Sequence, residues 1–104
     1  MLEPLETSDE FAKKLGAFIA RLRSRLGYSQ EGFALHCDLA RSYMTLIEHG
    51  RVSISADKVR ILASRLGLSL SQFYLLFDDP QALEAWEAQH PLKPKKPRRS
   101  RKLT

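Results

Sequence analysis

This chain of 104 residues has few of the residues and patterns that are typical of disulfide-bonded, membrane-spanning and secreted proteins. Its single cysteine, Cys37, excludes an intramolecular disulfide framework and is typical of a reducing compartment. No apolar stretch approaches the ~20 residues that cross a bilayer. The acidic first ten residues lack the basic and apolar regions of a signal peptide. We therefore expect a cytoplasmic protein.

Patterns that support catalysis or metal binding are also missing. The five glycines stand singly rather than in a phosphate-binding loop. His36 and Cys37 are adjacent, so on a helix their side chains diverge by about 100° and cannot act on one another. His49 and His90 have no cysteine or paired acid at metal-ligand spacing. We expect neither an enzyme nor a bound metal or cofactor.

Acidic side chains are absent from residues 91–104, which hold seven of the seventeen Lys and Arg. Residues 1–90 carry ten basic and twelve acidic residues, a net charge of −2. Within them, residues 21–65 have eight basic and four acidic residues. A locally positive face on an acidic body favours an anionic polymer, such as double-stranded DNA, as the partner. Three prolines interrupt the charge run and predict a disordered basic tail over 91–104.

Two short helical patterns lie within residues 29–51, SQEGFALHCDLARSYMTLIEHGR. Ser29 is a good N-cap for the first. The apolar face of this first pattern carries Phe33, Ala34 and Cys37. Asp38 tolerates the left-handed backbone of a sharp turn, and Gly50 suits the residue beyond a helix end. Two helices of this length across so short a turn predict a helix-turn-helix.

The second helical pattern divides into an apolar and a polar face. Met44 and Ile47 fall on the apolar face, which we expect to pack on the preceding helix. The polar face carries Arg41, Ser42, Thr45 and Leu46, with Tyr43 at its boundary. Guanidinium and hydroxyl groups hydrogen-bond with base edges and phosphates, so this face is predicted to enter a major groove. The plainer alternative is an ordinary solvent-facing surface.

The same residues resemble the Cro/phage-repressor, or Xre, family of helix-turn-helix regulators. The resemblance extends over about residues 8–78, from LGAFIARLRSRLGYSQ through the motif to IEHGRVSISADKVRILASRLGLSLSQFY. It implies base reading by Arg41, Ser42 and Leu46. It also implies phosphate contact near Gln30 and Arg51. The predicted DNA-binding residues are therefore Ser29, Gln30, Arg41, Ser42, Tyr43, Thr45, Leu46 and Arg51.

The resemblance has one further implication and two departures. It implies a buried ion pair between Arg23 and Glu48. Asp38 stands where the family's turn usually has glycine, so we expect a turn angle slightly different from the usual one. Leu46 stands where some members have an amide, and an apolar side chain there can contact only a thymine methyl.

Periodicity and capping residues predict an all-α fold of five repressor-like helices with a short sixth. Thr7 and Glu10 have capping-box spacing for the first helix. Ser69 or Ser71 opens the fifth helix, and Asp79-Pro80 precedes a sixth over 81–89. The chain then divides into a DNA-binding domain over 1–78, a short C-terminal helix over 79–90 and the basic tail over 91–104.

Apolar residues beyond the fourth helix exceed what a five-helix core of this size needs. They are Phe73, Leu76, Phe77, Leu83 and Trp86. If they stay open, a second copy of the chain would cover them, which predicts a homodimer. Together with the helix-turn-helix, this dimer is expected to act as a sequence-specific transcriptional regulator on a palindromic operator. The alternative for these residues is that all pack on the chain's own core. The alternative function is an antitoxin-like module that binds an acidic protein, with DNA binding secondary.

Overall fold

The computed structural model describes residues 6–92, which form six helices and no strand. These are α1 (Ser8–Arg25), α2 (Gln30–His36), α3 (Arg41–Glu48), α4 (Ala56–Arg65), α5 (Leu70–Asp78) and α6 (Pro80–Gln89). The predicted all-α class and the sixth helix are confirmed. None of the helices within 6–92 has both the length and the apolar character to span a bilayer. Most of the predicted basic tail, residues 93–104, lies outside the described residues, as do residues 1–5.

Capping side chains begin most of the helices where the sequence indicates. Thr7 Oγ1 accepts a hydrogen bond from the Glu10 amide at 3.0 Å, and Glu10 Oε1 accepts one from the Thr7 amide at 2.9 Å. The caps of α2, α4, α5 and α6 are Ser29, Ser55, Ser69 and Asp79. Each bond satisfies an amide that the helix cannot pair internally, so local sequence sets these boundaries. By contrast, α3 begins after Ala40 without a side-chain cap.

Asp38 makes the turn between α2 and α3 in the left-handed conformation, with φ of 60°. Leu39 donates its amide to the Ala34 carbonyl oxygen at 2.9 Å and so closes the end of α2. A short polar side chain can adopt this conformation at modest cost. Aspartate therefore makes a left-handed turn of the kind that glycine makes.

The helices enclose one hydrophobic core. Its largest fully buried side chains are Phe33, Phe73, Ile19, Leu22, Met44, Ile47, Leu62 and Val59. Cys37 is 4% exposed and belongs to the same core. This burial raises the pKa of its thiol to about 11. The predicted inner faces of α2 and α3 are thus both buried.

Three of the five residues expected to form a dimer contact lie in the core of the chain itself. Phe73 is fully buried, and Leu76 and Leu83 are 7% and 8% exposed. Contacts within the chain bury most of their surface, and α6 packs against α5. Phe77 is half-buried against the core, as is Trp86.

Two arginines of α1 hold α6 in this position. Arg21 donates Nε and Nη2 to the Glu87 carboxylate at 2.7 and 2.8 Å. Arg25 donates to the carbonyl oxygens of His90 and Glu87 at 2.7 and 2.9 Å, at the end of α6 where carbonyls lack helical partners. The His90 ring also stacks on Trp86, with centroids 4.4 Å apart. Polar contacts therefore fix the end of α6 against α1.

Candidate nucleic-acid interface

Helices α2 and α3 form a helix-turn-helix whose inner faces are apolar. Phe33 and Ala34 on α2 and Met44 and Ile47 on α3 are each at most 1% exposed. Small Ala34 lies where the chain turns between the two helices, and its carbonyl accepts the bond that ends α2. The two helices therefore present their remaining faces to solvent together.

The solvent-facing side of α3 carries the side chains predicted to read DNA. Arg41 and Ser42 are exposed, Leu46 is 40% exposed, and Thr45 is half-buried. The structure brings these four side chains onto one surface, here called the α3 face. A guanidinium, two hydroxyls and an apolar group offer hydrogen-bonding and methyl-contacting chemistry suited to base edges.

Gly16 lets α1 approach the end of α3 backbone to backbone. A Cβ atom at Gly16 would lie 2.1 Å from the carbonyl oxygen of Ile47 and 2.8 Å from that of Glu48. Only glycine permits such a contact, so this position sets how deeply α3 sits on the core. Sequence reasoning missed it because a lone glycine within a helical pattern has several meanings.

Arg23 and Glu48, expected from the family resemblance to pair, join α1 to the end of α3. Arg23 donates Nε and Nη2 to the Glu48 carboxylate at 2.7 and 3.1 Å. Its Nη1 donates to the Tyr28 carbonyl oxygen at 2.7 Å. The two side chains are only 12% and 5% exposed. A two-pronged arginine–carboxylate contact at this burial holds α3 in a defined orientation.

Gln30 connects this ion pair to the α3 face. Its Nε2 donates to Glu48 Oε1 at 3.1 Å. Its Oε1 accepts from Thr45 Oγ1 at 2.9 Å and, more weakly, from Arg41 Nε at 3.5 Å. The sequence predicted a phosphate contact near Gln30, but in the free protein both polar atoms of this amide have partners within the chain.

Further polar groups surround the α3 face. Arg51 is exposed in the loop after α3, and exposed Ser29 uses its hydroxyl to accept from the Gly32 amide at 2.9 Å. The Tyr43 ring is half-buried, with Lys58 Nζ 5.8 Å from its centroid. Lys58 was not among the predicted residues, because α4 brings it beside Tyr43 from a distant part of the sequence. This lysine adds a cation to the edge of the α3 face.

Comparisons with known proteins agree with this geometry. The sequence profile of a helix-turn-helix domain family matches residues 14–73. The control protein C.MunI of a Mycoplasma species is 32% identical over 62 residues, which cover 59% of this chain and 84% of that protein.

A solved structure has the same fold. The clp gene regulator ClgR from Corynebacterium glutamicum aligns with a TM-score of 0.61 at 21% identity, over 83% of this chain and 88% of that chain. The profile spans more than half of the chain and contains α2, α3 and the Arg23–Glu48 pair. The chain therefore belongs to the helix-turn-helix family and is a DNA-binding transcriptional regulator of the Xre type.

Proposed function

We propose that the chain controls transcription as a dimer that places two copies of α3 in successive major grooves of a palindromic operator. The α3 face carries this proposal, because Arg41 and Ser42 are exposed on it while the ion pair and the core fix the helix behind it. Occupancy of the operator then blocks or recruits polymerase. The name of the Mycoplasma relative, a control protein, supports a regulatory output.

Contacts with DNA divide into base reading and backbone binding. Arg41 lies at the start of α3, and its planar fork matches the O6 and N7 acceptors of guanine. Ser42 and Thr45 supply hydroxyls, and Leu46 supplies an apolar contact for a thymine methyl. We assign phosphate contacts to Ser29, Gln30, Tyr43 and Arg51, since such contacts orient the protein without reading sequence.

Replacing Arg41 with alanine should cost roughly 1–3 kcal/mol of binding free energy on the operator and less on random duplex. The loss is larger on the operator because a guanine contact is made only there. The operator would first be obtained by selecting fragments from a random pool with the purified protein. Fluorescence anisotropy at one fixed salt concentration would then compare both duplexes, since affinities without the salt concentration cannot be interpreted.

Arg51→Ala provides the matched control, because it removes the same charge from a residue assigned to phosphate contact. It should weaken operator and random binding alike. Equal losses for Arg41→Ala would mean that Arg41 contacts phosphate only. If the unaltered protein bound the operator no better than random duplex, the antitoxin-like alternative would gain support.

A shallow, mostly apolar groove between α5 and α6 is the candidate dimer surface. It is lined by Leu68, Gln72, Leu75, Leu76, Ala82, Ala85, Trp86 and Gln89. Leu75 is 54% exposed and is the most exposed of the large apolar side chains in this groove. We propose that a second copy covers the groove around a two-fold axis, with the two α3 helices about 34 Å apart.

Replacing Leu75 with lysine should raise the dimer dissociation constant roughly tenfold or more. A two-fold interface contains each residue twice, so one substitution introduces two charges into an apolar contact. Sedimentation equilibrium without DNA measures this constant. Leu35→Lys is the matched control, since Leu35 is 81% exposed on α2, outside the groove. A chain that stays monomeric at high micromolar concentration, even with DNA, would disprove the dimer.

A further inference from the structure

We infer that Thr45 reads DNA as a hydrogen-bond acceptor, and that Gln30 is the positioning residue that imposes this polarity. The inference rests on the proposed entry of α3 into the major groove. It assigns a base class to one side chain of the α3 face.

The polarity of Thr45 follows from its neighbours within the chain. A threonine hydroxyl has one hydrogen to donate and lone pairs that accept. Gln30 Oε1 lies 2.9 Å from Thr45 Oγ1, and the carbonyl oxygen of Arg41 lies at 3.1 Å. Both neighbours are acceptors, so the single hydrogen is directed into the protein whichever of them it meets. Only lone pairs remain for a group that approaches from the groove.

Glu48 determines which end of the Gln30 amide faces Thr45. An amide has a donor end and an acceptor end, and the surrounding hydrogen bonds decide its orientation. The Glu48 carboxylate, held by Arg23, accepts hydrogen bonds only. The Gln30 nitrogen must therefore face Glu48, at 3.1 Å, and its oxygen must face Thr45. The buried ion pair thus sets the hydrogen-bonding character of a side chain on the DNA-facing surface.

An acceptor in the major groove selects the bases that present an amino group. Adenine presents N6–H₂ and cytosine presents N4–H₂, whereas guanine and thymine present acceptors in the same place. Thr45 therefore favours adenine or cytosine over guanine or thymine at one position of one strand. Thr45 lies one helical turn after Arg41 on the same face, so this position lies close to the guanine that Arg41 reads.

The test removes the amino group from the DNA and the hydroxyl from the protein. Each operator position is varied in turn, and Thr45→Val is compared with Thr45→Ser, which keeps the hydroxyl. At one position, the unaltered protein and Thr45→Ser should prefer adenine or cytosine by roughly two- to tenfold, the range of a single hydrogen bond. Purine in place of adenine, or 2-pyrimidinone in place of cytosine, should abolish that preference. Thr45→Val should not distinguish the modified operator from the natural one.

Gln30→Met tests the positioning role, because methionine has a similar length and offers Thr45 no strong acceptor. The hydroxyl then keeps only the Arg41 carbonyl and can turn its hydrogen towards guanine or thymine. The preference at the Thr45 position should shrink, while the guanine preference assigned to Arg41 persists. A purely structural role for Gln30 would instead lower the melting temperature and leave every base preference unchanged, which would overturn the assignment.

The outcomes separate this inference from the proposed function. Two results would overturn the inference alone, provided that Arg41→Ala still loses operator binding. One is a preference for guanine or thymine at the Thr45 position. The other is a base preference of Thr45→Val that is the same as that of the unaltered protein at every position. Failure to select any operator would overturn both.

Discussion

Replacing Glu48 with alanine should lower the free energy of unfolding by about 3–5 kcal/mol, because it leaves a buried guanidinium without its counter-charge. The Arg23 side chain is only 12% exposed and makes two hydrogen bonds to the lost carboxylate. The Gln30 amide also loses the acceptor that it has at 3.1 Å. Urea denaturation followed by circular dichroism measures the change.

Asp57→Ala is the matched control for an ion pair in water. Asp57 pairs with Arg60 at 2.7 Å, but the two side chains are 70% and 61% exposed. Exposed pairs contribute ~0–1 kcal/mol, so this variant should remain near the unaltered protein. A loss for Glu48→Ala as small as that for Asp57→Ala would show that the Arg23 pair behaves as a surface contact.

Replacing Gly16 with alanine should cost ~3 kcal/mol or more, at the upper end of what overpacking produces. The new Cβ would meet the carbonyl oxygens of Ile47 and Glu48 at 2.1 and 2.8 Å. These are backbone atoms and cannot rotate away as a side chain would. Alanine is the better helix former by up to ~1 kcal/mol, but that gain is smaller than the cost of moving α3 off α1.

The same denaturation measurement applies to Gly16→Ala, with Gly32→Ala as its control. Gly32 is a helical glycine of α2 whose added Cβ would meet only the Ser29 hydroxyl, at 3.0 Å. A side chain can adjust, so this variant should change stability by no more than ~1 kcal/mol. If Gly16→Ala were equally mild, the contact between α1 and α3 would be adjustable.

Local chemistry explains why most of the fold could be predicted from the sequence. The bond from Ser29 to Gly32 and the left-handed turn at Asp38 involve residues close together in the chain. The α3 face likewise follows from a spacing of three and four residues, which fixes the side of a helix whatever lies opposite.

Contacts between distant residues could not be predicted in this way. Periodicity shows that Phe73 and Leu76 belong to an apolar face, but not whether α6 or a second copy covers it. The Gln30 network depends on three helices meeting, and no spacing in the sequence encodes that meeting. Arg23 and Glu48 are 25 residues apart, and only the family resemblance indicated the pair.

The reactivity of Cys37 is expected to report the fraction of molecules in which the helix-turn-helix is open. With a pKa of about 11, its thiol is ionised in roughly one molecule in ten thousand near neutral pH. Thiol reagents react with the thiolate, and the residue is 4% exposed, so the closed form is protected twice. We therefore expect labelling to require transient separation of α2 from the core, at a rate proportional to the fraction of molecules that are open. The labelling rate of this single thiol, which lies beside the turn, would therefore measure local opening of the DNA-binding motif.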